Sequence, residues 1–162
     1  MIPELLVIHH TASSRDKTTV ADVDNWHKLR WANFRSSLGF WVGYHCLITA
    51  DGKITQTRRP NELGAHCIPN EGKVGICLAG NFEFEKPTPE QLESLGKVIL
   101  WFKNNYNFTD EEIKAHCELS STLCPGKYLK DWLNKYRKIS FLKRQIEKIK
   151  KLIEALLKGR QI

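Results

Sequence analysis

Apolar residues recur along this chain with two different periods, and the changes of period mark out its elements. The stretch "ELLVIHH" near the start holds a short apolar run suited to a buried strand that ends at His9. "TTVADVDNWHKLR" then spaces Val20, Val23 and Trp26/His27 at helical intervals behind a Ser/Thr-rich start. "VGYHCLITADGKITQT" reads as two strands joined by a tight Asp51-Gly52 turn, and "KVGICLAGN" as a further short strand closed by Gly80-Asn81. The clearest helix start is "TPEQLESLGKVILWF", with Thr88 at the N-cap, Pro89 in the first turn and Gln91 completing a capping box. Leu92, Leu95, Ile99 and Phe102 form its expected buried stripe. Strands mixed with helices, with hairpins as well as longer crossovers, predict an α/β fold: a central mixed β-sheet flanked by helices.

The last segment follows a different rule. Ile139, Leu142, Ile146, Ile149, Ile153 and Leu156 alternate by three and four, a heptad seam too short to specify a coiled coil by itself. Residues 137–162 carry nine Lys/Arg against Glu147 and Glu154, which is the whole surplus of the chain's +7 formal charge. Residues 1–136 therefore balance, and the expected organisation is a domain over 1–136 followed by a basic amphipathic C-terminal helix over 137–162. Such a helix suits packing on the domain, self-association through the seam, or an anionic membrane or lipopolysaccharide surface. Nucleic acid fits it poorly, because Phe141 is its one aromatic and no base-reading motif is present.

A length of 162 residues is enough for one domain with a proper core. Five cysteines at irregular spacings suggest free thiols in a reducing compartment rather than a disulfide framework. The N-terminal stretch lacks a basic region followed by a long apolar one, so the expectation is synthesis in the cytoplasm without a signal peptide.

Three residues carry the candidate chemistry. His116 and Cys124 lie on either side of "CELSSTL", with Pro125-Gly126 directly behind the thiol, and His9 closes the first strand. Two neutral imidazoles and a thiolate are zinc ligands, and three protein ligands leave a fourth position open, as catalytic zinc sites do. Scattered as they are, these residues do not define a metal site alone, since a histidine beside a core strand more often serves packing. His10 and His45 should face away from His9 and Tyr44 by strand alternation and serve the core. Glu118 is either a rival general base or a loop-ordering acceptor. Trp31, Phe34, Phe40 and Trp41 either stack on a ligand or pack inside.

Four stretches in order, "VIHHTAS", "GYHCLITADGKI", "GAHC…VGICLAGNF" and "AHCELSSTLCPG", resemble the zinc N-acetylmuramoyl-L-alanine amidases, which include phage amidase-type lysozymes and peptidoglycan recognition proteins. The resemblance covers roughly residues 4 to 133. It implies Zn2+ held by His9, His116 and Cys124, with Tyr44 as an active-site hydroxyl and His66 near the substrate groove. Thr122 falls where some phage members carry a catalytic lysine and many recognition-protein amidases a threonine. A hydroxyl there donates a hydrogen bond but no charge. The implied activity is endolysin-like peptidoglycan hydrolysis, with a zinc-activated water cleaving the amide between N-acetylmuramic acid and L-alanine. Action on the cell wall would then follow release from the cytoplasm of a bacterial host. Two alternatives remain: a peptidoglycan-binding module without catalysis, and a cytoplasmic amidase recycling muropeptides. Inactive recognition members usually replace the cysteine, and recycling enzymes usually place an aspartate there.

Overall fold

The computed structural model describes residues 1–158, with side chains through 155. It divides into two compact units, Met1–Lys130 and Asp131–Ile162. The first holds a five-stranded sheet of β1 (Leu5–His10), β2 (Cys46–Ile48), β3 (Ile54–Gln56), β4 (Lys73–Leu78) and β5 (Ile113–Ala115), ordered β3-β2-β4-β1-β5. Strand β1 runs parallel to both β4 and β5, β2 runs parallel to β4, and only the β2–β3 hairpin is antiparallel. That hairpin turns at Asp51-Gly52, where the Gly52 backbone takes a φ of +78° and donates to Thr49 O.

Register and alternation divide the sheet into two faces. Leu47, Cys77 and His9 form one row across β2, β4 and β1. Leu47 and Cys77 sink into a cluster with Val42 and with Val23 of α1 (Val20–Arg30), so His9 ends a row whose other members are apolar core. The neighbouring row, Cys46, Ile76 and Ile8, points to the opposite face. His10 also turns there and accepts a hydrogen bond from the Phe82 N–H at 3.1 Å.

Both helices of this unit start on a capping box. Thr19 and Asp22 exchange bonds at the head of α1, and Thr88 and Gln91 at the head of α2 (Pro89–Tyr106). Gln91 has a second task, because its amide also donates to Ala79 O at 2.8 Å, past the end of β4. That bond is made from the buried face of α2. Gln91, Ser94, Leu95, Val98, Ile99 and Phe102 are buried, whereas Leu92, expected in that stripe, is half-buried. Trp26 of α1 is likewise 47% exposed.

The described part of the second unit is helical. Helix α3 spans Lys127–Lys158, beginning ten residues before Arg137, where the basic tail was expected to start. Leu156, the last position of the heptad seam, lies beyond the described side chains.

Candidate metal centre and its cleft

Three segments far apart in sequence deliver three donors to one point. His9 arrives on β1, where neighbours on both sides hold the backbone in place. His116 opens a 3-10 turn (His116–Glu118) immediately after β5, itself parallel to β1. Cys124 follows on a loop that folds back so that Cys117 N–H donates to Cys124 O at 2.8 Å. The donor atoms of His9, His116 and Cys124 all lie within 4.8 Å of one another. His9 Nδ1 stands 3.6 Å from Cys124 Sγ. Tetrahedral zinc with ordinary Zn–N and Zn–S bonds requires a separation of about 3.6 Å between those two atoms. The donor set and its spacing therefore fit a zinc ion.

The protonation states fit as well. Burial holds the His9 imidazolium well below its ordinary pKa, with His66 and His116 adding to the effect, so the ring is neutral. His116 is lowered by burial and then by the Lys73 cation. The Cys124 thiol is pushed up to about 12 by burial, so a metal must displace its proton on binding. The resulting thiolate has a donor waiting, since His10 N–H points at Sγ from 3.4 Å.

His66 shapes this centre from behind. Its Nε2 faces Lys73 O at 3.3 Å and its Nδ1 faces His9 Nε2 at 3.1 Å. A carbonyl only accepts, so His66 carries its proton on Nε2 and offers a lone pair at Nδ1. His9 must then carry its own proton on Nε2, which leaves Nδ1 bare and turned toward Cys124. The imidazole of His66 fits because Gly64 and Gly75 flank it: a Cβ on either would come within 2.7 Å of the ring. Expected at the substrate groove, His66 does line the cleft, yet both of its ring nitrogens are occupied within the protein.

An open cleft of about 570 Å³ reaches the donor group at His116 and is lined further by Tyr44, His66, His27, Arg30, Trp31 and Asn70 among others. The Tyr44 ring sits 5.2 Å from that of His9. Burial, aided by the Cys77 and Cys124 thiols, raises the phenol well above its usual pKa, so Tyr44 stays an O–H donor. Thr122 accepts the Cys124 N–H at 3.2 Å through its hydroxyl oxygen and so orders the loop that carries the thiol. Glu118 accepts the Ala115 N–H at 2.6 Å, the loop-ordering role rather than that of a free base.

Two residues of α1 escaped the sequence reading as parts of this site. Asp24 accepts from the Trp41 and Val42 N–H groups at 2.6 and 3.2 Å, and His27 Nδ1 accepts from Gly43 N–H at 2.9 Å. One helix face thus grips three consecutive peptides immediately before Tyr44. Their spacing of three, "DNWH", was the available signal. Of the four aromatics left open, Trp31 lines the cleft and Phe40 packs on the Val23 cluster. Phe34 lies under the Arg58 guanidinium, and Trp41 carries Lys28 and Arg35 against its faces.

The fold and the donor group together define an α/β protein with a candidate three-ligand metal centre. Residues 1–127 match the family described as N-acetylmuramoyl-L-alanine amidase, and the chain belongs to it. Peptidoglycan-recognition protein SD of Drosophila simulans is 31% identical over 127 residues, covering 76% of this chain and 67% of that protein. The endolysin of Escherichia phage T7 is 26% identical over 140 residues, covering 82% of this chain and 86% of that protein. Among solved structures, N-acetylmuramoyl-L-alanine amidase LysC from Clostridium intestinale URNW superposes with a TM-score of 0.66 at 34% identity, with 78% of each chain covered. All five cysteines are free.

Proposed function

We propose that this chain is a zinc-dependent peptidoglycan amidase that cleaves the bond between N-acetylmuramic acid and the L-alanine of the stem peptide. The observation that carries the reading is the convergence of His9, His116 and Cys124, with His9 Nδ1 and Cys124 Sγ 3.6 Å apart. A zinc ion held there supplies the Lewis acidity that activates water and polarises an amide carbonyl.

The chain's own residues do the rest. His66 keeps the His9 lone pair turned inward, and the His10 N–H supports the thiolate. Tyr44, kept protonated by burial, donates to the oxyanion that develops on the substrate carbonyl. A donor of this kind contributes about 10²- to 10³-fold in rate. Thr122 plays the lesser part, since its oxygen already accepts from Cys124 N–H and only its proton is left to give. Arg30 and Asn70 offer polar contacts, and Trp31 a ring face, to glycan and peptide in the cleft.

The recognition-protein relatives favour a second reading, a module that binds peptidoglycan without cutting it. Digestion of purified sacculi by wild type and Cys124→Ala, with mass spectrometry of the products, separates the two. Amidase action releases stem peptides with new L-alanine amino termini and leaves the glycan intact, and the variant releases none. Binding of wild type to sacculi without any release would overturn the enzyme reading.

A further inference from the structure

Nothing in the proposed chemistry needs the second half of α3, yet its surface is sharply divided. Ile139, Leu142, Ile146, Ile149 and Ile153 are each about half exposed, and Phe141 and Leu152 beside them are 51% and 61% exposed. At about 100° per residue, these side chains fall within an arc of roughly 160°, shared only with Gln145. The remaining arc holds no apolar residue larger than Ala155. Within it, Lys143 and Lys150 border one edge of the apolar face and Lys148 and Arg144 the other. Glu147 and Glu154 lie between these borders, farther from the apolar face.

A second copy of the chain covers this face badly. In a heptad pairing, Lys143 and Lys150 flank one side of the seam and Gln145 and Leu152 the other. Paired helices are held in register by opposite charges at those flanks, and here no acid occupies any of them. An antiparallel pair would set lysine against lysine. Phe141 lies outside the seam altogether and would stay in water. A flat anionic surface has neither defect, because it covers the whole arc and meets the bordering cations with negative charge. Among the described residues no helix is long and apolar enough to cross a membrane.

We propose that residues 139–155 bind the surface of an anionic phospholipid bilayer. The apolar arc enters the boundary between headgroups and acyl chains, and the bordering Lys and Arg side chains reach the headgroups. This activity is separate from the proposed hydrolysis and stands whether or not the chain cuts peptidoglycan.

The test uses the full chain, co-sedimented with vesicles of phosphatidylglycerol mixed with phosphatidylcholine and with vesicles of phosphatidylcholine alone. Binding should be at least about 10-fold tighter to the anionic vesicles and should weaken as salt is raised. Paired Ile146→Glu and Ile149→Glu should abolish it, and paired Lys143→Glu and Lys150→Glu should remove the preference for anionic lipid. Circular dichroism checks that the helix persists in both variants, and activity on purified sacculi should equal that of wild type. Equal binding to the two vesicle types, or none, would overturn the proposal. So would a dimer in sedimentation equilibrium that reverts to monomer in the Ile146→Glu, Ile149→Glu variant, which would identify the occupant as a second copy.

Discussion

His9 Nε2 and His66 Nδ1 lie 3.1 Å apart, and this contact decides which nitrogen of His9 is free to bind a metal. The chain of bonds runs from Lys73 O through His66 to His9 and ends in a lone pair facing Cys124. Partners of this kind orient the ligand ring and raise its basicity.

Replacing His66 by Phe removes the acceptor while keeping a ring in the slot. Zinc affinity, measured by competition with a chromophoric chelator, should fall about 10- to 100-fold. An unchanged affinity in a folded variant would mean that His66 does not orient His9.

Gly75→Ala attacks the same contact from the strand. The added Cβ would meet the His66 ring at 2.7 Å, and Gly64 closes off the other side. The ring must move or the strand must shift. Stability in urea should fall by about 1–3 kcal/mol, with a parallel loss of zinc affinity. A variant as stable and as tight as wild type would show that the slot is loose.

His45 gives the fold a pH dependence of known sign. It is buried, accepts from Gly75 N–H at 3.0 Å and bonds Glu62 O at 3.0 Å, and burial lowers its pKa to about 4. The unfolded chain binds a proton near 6.5, so this contribution is complete above that pH and is lost on descending toward 4. At pH 5 His45 alone removes about 2 kcal/mol. His10 and His27, lowered to about 4 by burial, act in the same direction. Urea midpoints should therefore drop between pH 7 and pH 5, and less so in His45→Asn. A midpoint that is flat over this range would contradict the burial.

Arg58 is 3% exposed and donates to the carbonyls of Val42, Leu63 and Phe34. These three carbonyls belong to the loops on either side of Tyr44. Arg58→Met fills similar space but leaves them without donors, and should cost about 3 kcal/mol in urea denaturation. A loss well under 1 kcal/mol would mean that water replaces the guanidinium.

The sequence revealed more of the strands and donors than of the contacts that aim them. Strands β1 and β4 stand out because unbroken apolar runs have few other uses, and the α2 start because Thr88 and Gln91 sit three apart. Strand β5 was missed because its three residues have no turn signal beside them, whereas the equally short β2 and β3 are marked by Asp51-Gly52. Arg58 reads as one more surface cation in "TRRP", because its partners are backbone carbonyls that carry no sequence signature. The resemblance placed His66 near the substrate groove and it lines the cleft, but its contacts within the protein were not legible. Its role depends on Lys73 O and on empty space at two glycines, and neither is a side chain to be read. Helix α3 was legible as amphipathic, but the exposure of its apolar face required the structure.

The most direct test of the metal centre is X-ray absorption at the zinc edge, on full-length protein purified without added metal. One zinc per chain is expected, with one sulfur and two imidazole nitrogens among its neighbours and the sulfur absent in Cys124→Ala. A chain that holds no zinc, or holds it without sulfur, would contradict the site formed by His9, His116 and Cys124.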